Sequence, residues 1–249
     1  MHKIFFAIIS LFVPKSRIKN HLFRLMGAKV SPSAKVGFSL ILNTDLDLEA
    51  GASIGHFNLI TSRGKLELQS NASLGHFNQI TGNFSLRLNE SARISNFVLF
   101  RGPRRSVFKH NSSLVLGDSS IITSSHYFDL SESIYVGDFS VIGGRDSKFW
   151  THGFLHVNEG KTRFIKLESI RIGSGVYIGS NCTINPGSII EKNVNVVSAT
   201  TVNGRLIDGG VYGSSSIRKI MQVDESIIND TYELDEDHSS GHPRIIKRK

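Results

Sequence analysis

A chain of 249 residues with 39% hydrophobic residues is long enough to bury a core, as one large all-β domain or two smaller ones. Its single cysteine, Cys182, excludes an intramolecular disulfide, fits a reducing compartment and reads as a small packed side chain. The formal charge of +8 comes mostly from Lys3, Lys15, Arg17, Lys19, Arg24, Lys29 and Lys35, all before the first acid, Asp45; without a basic stripe through the body, a nucleic-acid partner is not expected.

Residues 1–29 form the first predicted segment. The apolar run from Ile4 to Val13 covers about half of the roughly twenty residues that a bilayer span needs, and no small-residue cleavage site follows it. After Pro14 comes the basic amphipathic stretch KSRIKNHLFRLMGA. Two readings stand: a helical cap over the open first coil of the scaffold, or a segment lying on an anionic membrane surface. One segment can do both.

From Leu48 the sequence repeats every twenty residues, as LEAGASIGHFNLITSRGKLE, LQSNASLGHFNQITGNFSLR and LNESARISNFVLFRGPRRSV. Apolar residues fall six apart within each unit: Leu48, Ile54, Ile60, Leu66; then Leu68, Leu74, Ile80, Leu86; then Leu88, Ile94, Phe100. Helical spacing of three and four is absent, and the glycine, asparagine and serine after the apolar steps suit tight corners between short strands. The pattern predicts a solenoid of stacked parallel strands over residues 30–216. His56 with His76, and Asn58 with Asn78, are predicted to stack one coil apart, the asparagines as an amide ladder.

The six-residue rhythm then runs through Val136 and Ile142, breaks over a loop at 145–169, and resumes as Ile172, Ile178, Ile184, Ile190, Val196 and Val202. The break holds DSKFWTHGFLH, residues 146–156. A reactive and aromatic loop on a stiff scaffold is where binding and catalysis concentrate. Residues 217–249, with Asp224, Glu225, Asp230, Glu233, Asp235, Glu236 and Asp237 before a basic end, are expected to be a solvated, partly disordered tail.

The stretch IRIGSGVYIGSNCTINPGSIIEKNVNVVSATTV resembles the hexapeptide-repeat acyltransferases, which implies a left-handed parallel β-helix, a homotrimer with sites between subunits, and acetyl-CoA as acyl donor. The order IYVGDFSVIGG, aromatic loop with histidine, then strict hexads is similar to the sugar O-acetyltransferases; His126, Asp129, Ile134 to Asp138, and Ser147 with Thr151 and His152 match the capsule and O-antigen type. That resemblance implies His152 as general base, His126 and either Asp129 or Asp146 in supporting roles, Ser147, Trp150, Thr151 and His156 at the sugar, and Tyr177, Ser180, Ala199 and Arg205 at the coenzyme. Ser198 to Thr201 and Gly213 to Ser216 depart from the family's glycine-rich and proline-containing patterns there.

The implied activity is transfer of an acetyl group to a sugar hydroxyl of a surface polysaccharide or its precursor. A free alcohol is a poor nucleophile at neutral pH, and histidine is suited to take its proton. Asp129, Asp146 and Glu159 are each candidates to fix the tautomer of His152, and His126 to orient substrate or donate to the oxyanion. Phe149, Trp150 and Phe154 flank the base and can pack on a coenzyme or sugar face, or in the core. Three alternatives differ in class: N-acylation of an aminosugar nucleotide by the same base; a zinc site of His126, His152 and His156, similar to the γ-class carbonic anhydrases but with a histidine spacing of four where that family has five; and a non-catalytic scaffold. No metal is expected. The expected location is cytoplasmic, at the inner face of the membrane if residues 1–27 lie on lipid.

Overall fold

The computed structural model describes residues 2–42, 44–103, 112–157, 162–207, 209–214, 218–222, 232–235 and 245–248. Short parallel strands stack into three long sheets of nine, ten and eight strands among the described residues, each coil but the last contributing to all three. The antiparallel strand Arg218–Gln222 ends the ten-stranded sheet. The result is a parallel β-solenoid.

The six-residue rhythm has a simple physical origin. Inward-pointing residues of each short strand meet their counterparts in the next coil, so Leu48, Leu68, Leu88, Leu116, Val136, Ile172, Ile190 and Leu206 form one continuous buried column. Ile41, Ile60, Ile80, Phe100, Phe128, Phe149, Ile184 and Val202 form another. Each such side chain stabilises the fold by about 1.5–3 kcal/mol relative to exposure. The twenty-residue period is this register: Leu46, Leu66 and Leu86 are partners in adjacent coils.

The corner leading into the eight-stranded sheet turns through a left-handed residue in successive coils, at Phe57, Phe77, Phe97, Ser125, Asp146 and Asn181, all with φ between 56° and 64°. The position that follows each of these corners is buried, and at Asn58 and Asn78 it carries a hydrogen-bonding ladder. Asn78 N–H donates to Asn58 Oδ1 at 2.8 Å and Val98 N–H to Asn78 Oδ1 at 2.9 Å, which is the predicted amide ladder. The rings of His56 and His76 stack with centroids 5.5 Å apart, also as predicted.

Two helices, α1 (His2–Phe12) and α2 (Arg17–Leu25), cover the first coil. Ser16 caps α2 by accepting from Lys19 N–H. Phe23 is fully buried and stacks on Phe6 at 4.5 Å. The Lys19 ammonium, also buried, donates to the carbonyls of Ser10 and Gly37 at 2.8 Å each, and burial lowers its pKa to about 8. Asn20 adds donors to the Ser31 and Ala34 carbonyls. These contacts pack both helices against the first coil. Among the described residues no helix is long and apolar enough to cross a membrane. The predicted tail disorder falls largely on residues outside those described; within the tail, Tyr232–Asp235 pairs antiparallel with Ile245–Arg248.

Candidate functional site

The break in the hexad rhythm is a β-hairpin. Strands His152–Val157 and Thr162–Leu167 pair antiparallel and project from the solenoid, with His152 opposite Leu167 at the base. The chain enters it directly from Lys148–Phe149, a strand of the eight-stranded sheet. His152 thus stands where a rigid coil becomes an arm.

At that junction His152 Nδ1 lies 2.7 Å from Asp129 Oδ2. Asp129 comes from the preceding coil, strand Tyr127–Asp129, and is 4% exposed. Its carboxylate is ringed by donors: Oδ2 accepts from Thr151 N–H at 2.9 Å, Thr151 Oγ1 at 2.9 Å and His152 N–H at 3.1 Å, and Oδ1 from Ser131 Oγ at 2.8 Å. A carboxylate can only accept, so Nδ1 carries the proton and Nε2 is left with a lone pair. The side chain of His152 is 31% exposed.

Aromatic rings wall the histidine. Trp150 packs against Tyr127 with centroids 4.9 Å apart and meets His152 edge-on at 6.3 Å; Phe154 meets it edge-on from the hairpin at 6.0 Å. Burial, then the charge of Asp129, pushes the Tyr127 phenol up from its ordinary range. Phe149, by contrast, faces inward, fully buried, and stacks on Phe128 at 4.4 Å, so it is core.

Several expected site residues stand elsewhere, for reasons of register. Asp146 occupies the left-handed corner, exposed beside Arg145 at 3.5 Å, while the carboxylate at His152 is that of Asp129. His126 is 1% exposed in the buried ladder position after the corner; its Nδ1 accepts from Ser147 N–H at 3.2 Å and its Nε2 lies 3.0 Å from Thr123 Oγ1. Both ring nitrogens of His126 are thus engaged inside the coil. Burial drops its pKa to about 4. Ser147 is buried too, donating to the Gly179 carbonyl, and Thr151 is buried under Asp129, so both act inside the wall. His156 lies exposed along the hairpin, and among the described residues no three histidine, cysteine or acidic side chains gather as a metal-binding group. Glu159 lies outside the described residues.

Of the four coenzyme candidates, Tyr177, Ser180 and Ala199 share the region around one corner of the last coils: Ala199 N–H donates to the Ser180 carbonyl, and the Tyr177 ring lies against Gly143. Arg205 belongs to the nine-stranded sheet, where its Nε donates to Glu191 at 2.8 Å, so it stands apart from the other three. Cys182 is buried and its thiol pushed up by burial, in keeping with a packing role. Tyr127 and Ser131 escaped the sequence reading. Their signal was period-two alternation, since Tyr127, Asp129 and Ser131 are spaced two apart.

No protein-family model and no curated protein matches the chain. Among solved structures, the polySia specific acetyltransferase NeuO superposes with a TM-score of 0.53 at 15% identity, covering 74% of this chain and 76% of that one. A hexapeptide-repeat containing acetyltransferase from Vibrio cholerae gives 0.42 at 22% identity, over 45% of this chain and 64% of its own length. Galactoside acetyltransferase in complex with coenzyme A gives 0.43 at 18%, over 51% and 63%. The chain thus spans under two thirds of the latter two proteins, and what the likeness to NeuO establishes is the shared parallel β-solenoid fold.

Proposed function

We propose that this chain is an acetyl-CoA-dependent O-acetyltransferase acting on a sugar hydroxyl of a surface polysaccharide or its precursor, with His152 as general base. The observation that carries the reading is the His152–Asp129 contact of 2.7 Å at an aromatic-walled junction. The fold shared with NeuO, whose name states acetylation of polySia, supports it.

In this mechanism Nε2 of His152 takes the hydroxyl proton as the oxygen attacks the thioester carbonyl, forming the C–O bond. The tetrahedral intermediate collapses with cleavage of the C–S bond, and the imidazolium returns its proton to the coenzyme A thiolate. Asp129 holds the imidazole in the reactive tautomer and stabilises it when charged. Tyr177, Ser180 and Ala199 are proposed to contact the coenzyme, and Trp150 and Tyr127 the sugar. Assembly as a homotrimer belongs to the same reading, as does peripheral contact of residues 1–27 with the inner face of the membrane.

The test is transfer from acetyl-labelled coenzyme A to host polysaccharide precursors. Label released by mild alkali is an ester and supports the reading; alkali-stable label points to N-acylation of an amine. Failure of the chain to bind coenzyme A at millimolar concentration overturns both and leaves a scaffold.

A further inference from the structure

We infer that Arg63 and Arg101 form an anion subsite that takes a carboxylate or phosphate carried by the acceptor, a reading that rests on His152 as the transfer centre. On the coils before the hairpin, a cavity of 470 Å³ is lined by Thr61, Arg63, Thr81, Gly82, Arg101 and Gly102. Among the described residues its lining holds two guanidinium side chains and no acid. Arg87, Arg145 and Arg205 each face a carboxylate, whereas among the described residues neither Arg63 nor Arg101 has one within 4.0 Å. Two cations in one concavity without a counter-charge are electrostatically unsatisfied until an anion enters.

The cavity is held in shape. Arg101 Nη1 donates to Thr81 Oγ1 at 2.7 Å and Nη2 to Gln79 Oε1 at 2.6 Å, which fixes the plane of the guanidinium and leaves three of its five N–H donors for a ligand. The floor is bare backbone. Gly82 has φ +111°, and a Cβ there would sit 2.3 Å from the Gly102 carbonyl oxygen, so no side chain can fill the space between the arginines.

Its position ties it to the transfer centre. Thr61, Thr81, Arg101 and Asp129 are register partners in successive coils and form one outward column of the eight-stranded sheet. Arg101 is therefore one strand from the carboxylate that holds His152. At about 4.8 Å per strand, the coil of Arg63 lies roughly 10 Å below that of Arg101, a separation suited to one or two sugar residues, with the Thr61 hydroxyl beside Arg63 also lining the cavity.

The full chain is titrated by calorimetry at low salt with a galacturonate trisaccharide, with its carboxyl-reduced neutral counterpart, and with thymidine diphosphate. The expected result is saturable binding of at least one anion, with the neutral trisaccharide at least 10-fold weaker. Preference for the trisaccharide identifies a sugar carboxylate, and preference for the diphosphate a nucleotide-linked acceptor. Arg63→Gln combined with Arg101→Gln should weaken anion binding at least 10-fold, and Arg101→Lys, which keeps charge without the fork, should lie between. Arg63→Gln alone, at an exposed position, guards against misfolding and should give a smaller loss of the same sign. The inference is overturned if neither anion binds, if the neutral sugar binds equally well, or if the double variant retains wild-type affinity. A chain that transfers acetyl but fails this test loses the subsite alone; His152→Ala should lose transfer and keep anion binding.

Discussion

His152 and Asp129 are 23 residues apart in sequence and 2.7 Å apart in space, because adjacent coils of the solenoid bring the end of one strand beside the base of the hairpin. The carboxylate has its own fixed bed of Thr151 and Ser131 donors, so the imidazole is oriented before any substrate arrives. Such preorganisation is what a general base requires.

His152→Ala should lower acetyl-transfer kcat by about 100- to 10,000-fold, the usual range for loss of a general base, with the circular dichroism spectrum unchanged. Asp129→Asn should approach the same loss by a different route. The amide can present its own N–H to Nδ1, turning the Nε2 lone pair into a donor. Steady-state kinetics of both variants decide the matter; wild-type kcat in His152→Ala removes the assignment.

Which carboxylate serves His152 was not legible in the sequence, and the reason is geometric. Asp146 is nearer along the chain, but a solenoid corner needs a residue that tolerates left-handed φ, and aspartate does. Asp129 is distant in sequence yet adjacent once coils stack. The placement of His126 was hidden for a related cause: its spacing relative to Asp129 suggests a motif, while its register, that of Asn78 and Val98, puts it at a buried position after the corner. The coils themselves were legible, because inward Leu, Ile and Val at six-residue steps report a buried column directly. The arginine pair was not, since the bare glycine floor between Arg63 and Arg101 depends on how coils of twenty residues stack.

The buried histidine gives a pH signature. The folded pKa of His126 is lowered to about 4 by burial, below the ordinary 6.5, so between these values the unfolded chain binds more protons and stability falls as pH drops. The loss begins near pH 6.5 and is complete near pH 4. A shift of this size corresponds to about 3 kcal/mol at most. His126→Asn places at this position the residue found at Asn58 and Asn78, and it does not titrate. Thermal unfolding from pH 7 to pH 4 should show a shallower decline of Tm in the variant than in the wild type; parallel curves exclude His126 as a source of acid lability.

The hairpin predicts self-association. Phe154, Leu155, Phe164 and Ile165 are between 45% and 58% exposed on an arm that leaves the solenoid body, and opposed pairs Phe154–Ile165 and Leu155–Phe164 put apolar surface on both of its faces. A second copy of the chain is the occupant that the trimer reading supplies. Leu155→Ser with Phe164→Ser should shift sedimentation from trimer toward monomer and reduce kcat together with assembly, if sites form between subunits. A double variant that remains trimeric assigns the contact to another surface.

The N-terminal cap carries the last prediction. On α1 the buried side, with Ile9 and Ser10, faces the first coil, while Ile4, Phe5, Ile8 and Phe12 are 47% to 69% exposed; Ile18 and Leu25 on α2 are each 70% exposed. Exposed Lys15, Arg17 and Lys29 lie within or next to the same segment. Apolar side chains turned outward beside basic ones are suited to the surface of an anionic bilayer, with each base adding about 1 kcal/mol near the headgroups. Because Phe23, Lys19 and Asn20 hold the cap to the solenoid independently of that outer face, Ile4→Ser, Ile8→Ser and Phe12→Ser can be combined without removing the cap. The wild-type chain should co-sediment with vesicles containing phosphatidylglycerol, and less with neutral vesicles or at 0.5 M salt. The triple variant should stay in the supernatant with an unchanged Tm. Equal binding of the triple variant and the wild type excludes α1 as the membrane contact, and a lowered Tm would instead give the outer face a structural role.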